Sequence, residues 1–297
     1  MWRRVSETGG TVGREKARVG KRTAEGVRRS ASDAACRLTV WQALGLGLAQ
    51  GLTEVLPVSS DGHLAILQSL WRMPESGRVG LTAAMHLGTA MALAVYFGRR
   101  LVTLVGDAVG RAVEARQAAF GLAGKVALAT LPAAAVGLFV EEQVETLSAR
   151  MPLVGVFLLV NGALLLASRL GRGRRTEPGW GAALVIGCAQ VAALLPGVSR
   201  SGTTIAAGLL LGMAAPAAFE FSFLLAVPVT LGAAVLKLLQ LDFSQFQPGM
   251  VVLSIVTAFV FGLAAIAVLR QAVVRGRLFW FGVYCAVLGL ATLLLTV

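Results

Sequence analysis

Long apolar segments separated by short polar connections dominate the chain from residue 40 onward. A helix needs about 20 predominantly apolar residues to cross the hydrocarbon core of a bilayer. Six segments are close to that length, and they cover residues 79–97, 123–140, 151–168, 216–239, 249–269 and 278–296. The hydrophobic pattern therefore predicts six transmembrane helices.

Two further apolar segments are interrupted before they reach spanning length. Residues 40–56 end at Pro57 and residues 180–195 end at Pro196, and both continue into serine, glycine and charged residues. Broken backbone persists at membrane depth only where protein or a water-filled cavity surrounds it. The interruptions predict two re-entrant helical hairpins, at roughly residues 40–70 and 180–213.

The two interrupted segments are spaced alike, which indicates an internal duplication. At an offset of 140 residues, Gln50 falls on Gln190, Ser59 on Ser199 and Gly62 on Gly202. Each half, about 40–168 and about 180–297, holds one hairpin and three spans. Because three spans reverse the direction of the chain, the second half is inverted relative to the first. The expected fold is an all-α integral membrane protein built as an inverted repeat.

Composition supports a membrane domain over residues 39–297 and sets residues 1–38 apart. The chain is 56% hydrophobic and 14% charged, with a mean hydropathy of +0.76, as in polytopic membrane proteins. Residues 1–38 instead carry ten Lys or Arg against four acids, so we expect a basic, disordered extension. Most other basic residues fall in short connections between spans, and the high pI therefore does not indicate a nucleic-acid partner.

The connections after the first, third and fifth spans are rich in arginine and lie on one side of the predicted membrane. They carry Arg99, Arg100, Arg111, Arg116, Arg169, Arg172, Arg174, Arg175, Arg270, Arg275 and Arg277. The opposite side has the acidic connection Glu141, Glu142 and Glu145. The positive-inside rule makes the basic side cytoplasmic, so the first hairpin opens outward and the second inward. The basic extension would then lie outside, which conflicts with the same rule.

The first interrupted segment carries a carboxylate and an imidazole. Gln50 and Glu54 are four residues apart and share one helix face, so both can approach a common ligand. An ionisable group at membrane depth is expensive and usually functional, and Glu54 would bind a metal, another cation or a proton. The alternative is a structural pair with Arg200. In the following turn, Ser60 and His63 are candidates for nucleophile or general acid, and the sequence does not choose between them.

The second interrupted segment has the residue types of a phosphate cradle. Hydroxyl groups, glycines that let N–H groups converge, a helix N-terminus and an arginine all favour an oxyanion. The candidate phosphate-binding residues are Ser59, Ser199, Arg200, Ser201, Gly202 and Thr204. An ordinary N-cap would explain a hydroxyl here but not Arg200. Together the two turns predict phosphoryl transfer on a phosphate carried by a lipid.

Three strings of residues resemble a known family. They are Gln50 to His63, reading QGLTEVLPVSSDGH; Pro196 to Thr204, reading PGVSRSGTT; and Glu220 to Pro228, reading EFSFLLAVP. They closely resemble the undecaprenyl-diphosphate phosphatase family, also called the bacitracin-resistance family, and the likeness covers about residues 40–297. Asp61 departs from the family pattern, which has a small hydroxyl residue there, and His86 stands where the family usually has Gln.

The resemblance implies hydrolysis of undecaprenyl diphosphate to undecaprenyl phosphate and inorganic phosphate, which recycles the lipid carrier for peptidoglycan synthesis. It implies a site on the outer face of the bacterial inner membrane and a divalent cation, magnesium or calcium. By position, Glu54 and Gln50 match the family's acidic motif, and Ser60, His63 and Arg200 match its catalytic positions. Glu54, assisted by Gln50, would hold the divalent cation or orient water as a further catalytic residue.

A transporter is the alternative function, because inverted repeats with broken helices are also a transporter architecture. A flippase for the polyprenyl-phosphate carrier would explain both halves of the fold. It explains less well an imidazole beside a nucleophilic serine. The sequence leaves open whether the chain forms a homodimer.

Overall fold

The structure, a computed structural model, describes residues 38–73, 75–171, 173–240 and 247–296. The basic extension predicted at the N-terminus and Arg172 lie outside these residues. Ten α-helices form in the described part of the chain: α1 Val40–Val55, α2 Ser60–Leu70, α3 Glu75–Val109, α4 Val113–Ser148, α5 Met151–Ala167, α6 Trp180–Val191, α7 Arg200–Leu210, α8 Ala215–Gln240, α9 Pro248–Val274 and α10 Phe279–Thr296. The predicted all-α class is confirmed.

Six of these helices are long and apolar enough to cross a membrane, and they match the six predicted spans. Their candidate spans are Gly80–Val109, Val113–Val140, Met151–Leu170, Ala215–Gly232, Pro248–Val274 and Phe279–Thr296. Pro132 and Pro228 lie inside α4 and α8. Packed neighbouring helices make such residues tolerable within a span.

The first two spanning helices are longer than the sequence indicated. Helices α3 and α4 have 35 and 36 residues, or about 52–54 Å at the usual rise, against a hydrocarbon core of about 30 Å. The prediction of a basic loop holding Arg99, Arg100 and Arg116 was therefore wrong, because these residues lie on helices. Helix formation does not end where hydrophobicity ends, and residues 98–109 contain no proline to stop α3.

Two pairs of short helices occupy the positions of the predicted hairpins. In the first, α1 and α2 are separated by the turn that contains Pro57, and in the second, α6 and α7 are separated by the turn that contains Pro196. With 16, 11, 12 and 11 residues, all four helices are shorter than a spanning helix.

The first helix of each hairpin packs against the middle spanning helix of the other half, α1 on α9 and α6 on α4. Glycines permit both contacts. A Cβ on Gly47 would lie 2.6 Å from the carbonyl oxygen of Ser254, and one on Gly187 would lie 2.5 Å from that of Ala129. Close approach at small residues is typical of helix association in membranes. Gly47 and Gly187 are themselves 140 residues apart, so the two contacts correspond.

Helices α3 and α8 pack against each other and contribute many residues to the main hydrophobic core. The rings of Phe97, Phe219 and Phe223 pack together there, with centroids 4.7–6.0 Å apart. Helices α5 and α10 pair along their lengths on another side. The first hairpin turn packs on this second pair through Val58, which clusters with Leu165 and Cys285.

Candidate active site

The turns of the two hairpins meet directly. The backbone N–H of Gly197 donates to the Ser59 hydroxyl at 3.1 Å. Asn161, fully buried on α5, donates from Nδ2 to the Pro57 carbonyl at 3.0 Å and accepts at Oδ1 from the N–H of Ser199 at 3.1 Å. One spanning helix thus holds both turns together.

Each turn ends in a serine that caps the next helix. The hydroxyl of Ser59 accepts from the N–H of Gly62 at 3.4 Å, and that of Ser199 accepts from the N–H of Gly202 at 3.2 Å. Such caps satisfy N–H groups that have no partner within the helix. Ser59 has φ of 69° and Gly197 has φ of 117°. Positive φ costs little for glycine but strains serine, so Ser59 marks a constrained position.

Glu54 is at the centre of the polar contacts. Its Oε1 accepts from Nη2 of Arg200 at 2.8 Å, and its Oε2 accepts from the Ser60 hydroxyl at 2.7 Å and from Nε2 of Gln50 at 3.4 Å. Nε2 of His86 lies 3.3 Å from the same Oε2. The carboxylate side chain is 9% exposed. Residues 50, 54, 60 and 200, which were predicted from both hairpins, are therefore brought together.

Arg200 uses only one of its terminal nitrogens within the protein. Nη2 donates to Glu54 and to the Thr230 hydroxyl at 3.1 Å, while Nη1 is buried with no hydrogen-bond partner among the residues that the structure describes. Buried donors are nearly always paired, so an unpaired guanidinium nitrogen calls for an explanation. A free N–H beside a fixed carboxylate is suited to an incoming anion.

His63 is held by other groups. Its Nδ1 lies 2.7 Å from the carbonyl oxygen of Ser59, and its Nε2 lies 2.7 Å from the hydroxyl of Tyr284. The two rings stack with an interplanar angle of 8°. Because a carbonyl only accepts, Nδ1 carries the hydrogen. A nucleophilic Nε2 would have to leave Tyr284 before attack, whereas the Ser60 hydroxyl already donates to a carboxylate.

The hydroxyls predicted to bind phosphate are turned toward the protein. Ser199 and Ser201 share a hydrogen bond of 3.1 Å, and Thr204 is bonded to Ser222 at 2.6 Å and donates to the Arg200 carbonyl at 2.8 Å. A Cβ on Gly202 would lie 3.1 Å from Cβ of Pro57. These residues stabilise the second turn, and their contact with phosphate stays a prediction.

Four residues of this site were not among the predicted site residues. Asn161, Thr230, His86 and Tyr284 lie on spanning helices, each as one of few polar side chains in a mostly apolar segment. That scarcity was the available signal, because a polar residue in a membrane span usually has a partner. Spacing along the sequence could not show that all four face the two turns.

The fit of a divalent cation depends on Gln50 and Glu54. Gln50 is fully buried, and its Oε1 has no hydrogen-bond partner in the described ranges of the chain. Within the described part of the chain, no group of three or more His, Cys, Asp or Glu is placed to hold a metal. Two oxygen ligands from the protein fit magnesium, which commonly takes one or two protein oxygens and completes its shell with substrate phosphates and water.

The fold and the site define a polytopic membrane protein whose polar centre lies between two half-length hairpins and has donors for an anion. Residues 43–291 match the family model described as Bacitracin resistance protein BacA, and the chain belongs to that family.

Several curated relatives carry the name undecaprenyl-diphosphatase. The one from Geobacter metallireducens is 41% identical over 84% of this chain and 95% of that protein. The one from Mycobacterium bovis is 38% identical over 86% and 96%, and one from Methanococcus maripaludis is 37% identical over 81% and 94%. The family match over residues 43–291 includes both hairpin turns and extends into every spanning helix.

Proposed function

We propose that this chain is an integral membrane hydrolase that converts undecaprenyl diphosphate to undecaprenyl phosphate and inorganic phosphate. Membership in the family and the shared name of the relatives support this activity. The expected context is the bacterial inner membrane, where the product would serve as lipid carrier for peptidoglycan synthesis, with the site open to the outer side. Recycling of the carrier would link the chain to bacitracin resistance.

One observation at the site carries the proposal. Nη1 of Arg200 is a buried donor without an acceptor, and Oε1 of Gln50 is a buried acceptor without a donor. Both residues are bonded to Glu54. A diphosphate that arrives with a divalent cation would satisfy both atoms at once, the phosphate oxygen at the guanidinium and the cation at the amide oxygen.

The hydrogen bond between Ser60 and Glu54 favours serine as the nucleophile. In this mechanism the Ser60 oxygen attacks the terminal phosphorus while Glu54 takes the hydroxyl proton. The bond from that phosphorus to the bridging oxygen breaks, undecaprenyl phosphate leaves, and water then hydrolyses the phosphoserine. Arg200 balances the charge on the phosphoryl oxygens. The alternative, attack by His63, requires its Nε2 to separate from Tyr284.

Gln50 and Glu54 are the residues that would hold the divalent cation. When bound, the ion would neutralise part of the negative charge of the diphosphate. A chelator should abolish phosphate release, and added magnesium or calcium should restore it. If Glu54→Gln keeps full activity with chelator present, the carboxylate is not a ligand of an essential cation.

Phosphate release by purified protein in detergent tests the activity itself, because no transbilayer gradient exists there. We expect the wild-type protein to release phosphate from a polyprenyl diphosphate. A double variant with Ser60→Ala and Arg200→Ala, purified in parallel, should release none. A monodisperse protein that binds the lipid and releases no phosphate with magnesium or calcium would contradict the proposal. That result would favour the transporter alternative, which otherwise depends on the inverted architecture alone.

A further inference from the structure

His86 contacts the central carboxylate from a spanning helix. It lies on α3, its side chain is 23% exposed, and its Nε2 is 3.3 Å from Oε2 of Glu54. The other partners of Glu54, namely Gln50, Ser60 and Arg200, all belong to the two hairpins. His86 is thus the group through which Glu54 is connected to α3.

The imidazole is fixed in orientation by its own helix. Nδ1 of His86 lies 2.8 Å from the carbonyl oxygen of Thr82, one turn earlier on α3. Because that oxygen and the Glu54 carboxylate both only accept, Nδ1 donates to Thr82 and Nε2 is a second donor toward Glu54, with hydrogen on both ring nitrogens. The ring therefore has one polar edge directed at the carboxylate.

Helix α9 sets the distance between His86 and Glu54, because it packs closely against both of their helices. A Cβ on Gly51 of α1 would lie 2.6 Å from the carbonyl oxygen of Ala258. A Cβ on Gly88 of α3 would clash with the carbonyl oxygen of Ile255. These glycines lie within three residues of Glu54 and His86. Both helices therefore pack closely on α9 near Glu54 and His86, and this packing supports the contact between the two side chains.

The Ser60 hydroxyl shares Oε2 of Glu54 with His86. A carboxylate that must accept the serine proton has to keep this oxygen directed at Ser60, and supporting contacts of this kind are what hold catalytic groups within about 0.5 Å of a productive position. Within α1 itself, Oε2 of Glu54 is supported by Gln50, and that hydrogen bond is long at 3.4 Å.

We propose that His86 is a positioning residue for the diphosphatase reaction, holding Oε2 of Glu54 toward Ser60. The inference depends on the proposed hydrolysis and assigns to α3 a direct part in it. Since the residue acts through Glu54 and not on the lipid, its loss should lower kcat and leave KM nearly unchanged.

Three variants assayed with saturating magnesium test the proposal. His86→Leu should lower kcat by about 10–100-fold with KM within about threefold of wild type, as for other residues that orient a catalytic group. His86→Gln, which places a side-chain N–H donor at this position, should show much less of this loss. Thr89→Val is the matched control, because the Thr89 hydroxyl is buried one turn away on α3 and donates only to the His86 carbonyl.

Each other outcome has a distinct meaning. An unchanged kcat in His86→Leu, an equal loss in the Leu and Gln variants, or an equal loss in Thr89→Val would overturn the positioning role. Failure of the wild-type protein to release phosphate would instead contradict the proposed function.

Discussion

Arg200 and Glu54 are oppositely charged side chains in an apolar interior, and each lowers the cost of burying the other. Only Nη2 of Arg200 is used in this contact. The pair therefore links the two hairpins and leaves Nη1 as a donor for a ligand. The interpretation as a purely structural pair explains Nη2 but not the unpaired Nη1. Substitutions that keep the charge and change the geometry can separate these roles.

Arg200→Lys should lower the rate of phosphate release by at least about 100-fold, the usual effect of losing one donor at a developing oxyanion. Lysine has one nitrogen, which can pair with Glu54 or with the phosphate but cannot reproduce the fork of arginine. Rates are measured on protein purified at matched yield and monodispersity. Arg100→Lys is the control, since Arg100 is half exposed and pairs with Glu220 outside the site. Near wild-type turnover in Arg200→Lys would remove the phosphate-binding role.

Rapid quench with labelled lipid diphosphate should distinguish Ser60 from His63. The short bond from Ser60 to Glu54 predicts an acid-stable phosphoserine that is absent from Ser60→Ala and present, more slowly formed, in His63→Ala. Label that survives in Ser60→Ala and is lost from His63→Ala would make His63 the nucleophile. An unlabelled wild type under single-turnover conditions would favour direct attack by water.

The sequence was informative about residues inside the two turns and uninformative about their partners. Glu54, Ser60 and Arg200 could be predicted because charged and hydroxyl residues interrupt apolar helices there. Asn161 and Thr230 could not, since each has only apolar neighbours beside it in a long span. The rotation of the helix about its axis decides whether such a side chain faces lipid, the core or the site. A helix that is apolar on all sides has no sequence pattern from which that rotation can be predicted.

At the scale of elements, the hairpins depend on helix α5 for their alignment. Asn161 bonds to the backbone of both turns, and at 2.8 Å a Cβ on Gly197 would clash with α5 at the carbonyl oxygen of Val154. The prolines and glycines of the turns predicted the hairpins because those residues end helices. The true length of α3 and α4 was not predictable in the same way, because their polar ends continue as helix beyond the apolar spans.

Asn161→Leu should destabilise the protein by roughly 1–3 kcal/mol, because it leaves the Ser199 N–H buried without its partner and the Pro57 carbonyl with only the weak donor Sγ of Cys285. The expected result is a lower apparent Tm in detergent together with loss of activity. Thr292→Val on α10 is a suitable control, since the hydroxyl of Thr292 bonds only to the carbonyl of Leu288 in its own helix. A Tm equal to that of the control variant would mean that the two turns are aligned without Asn161.

At the scale of the whole molecule, the second hairpin opens on the side that carries the basic connections. The backbone of Arg175 pairs with that of Gly212 and Ala214 at the end of this hairpin, at 3.2 and 2.9 Å. On this side, the ion pair of Lys125 and Glu177 also joins α4 to the connection before α6. The charge distribution predicts that this side of the molecule is cytoplasmic.

A cysteine at position 174 should therefore resist a membrane-impermeant thiol reagent in intact cells, and one at position 143 should react. Short arginine-rich connections stay in the cytoplasm, and position 143, near the end of α4 away from those connections, then lies on the opposite side. Arg174 and Gln143 are both exposed, so access depends on the side of the membrane. The background should lack Cys36 and the exposed Cys188, while the buried Cys285 can stay. Permeabilised cells, in which both positions should react, provide the control. Reaction at 174 with protection at 143 would invert the topology and place the opening of the first hairpin on the cytoplasmic side.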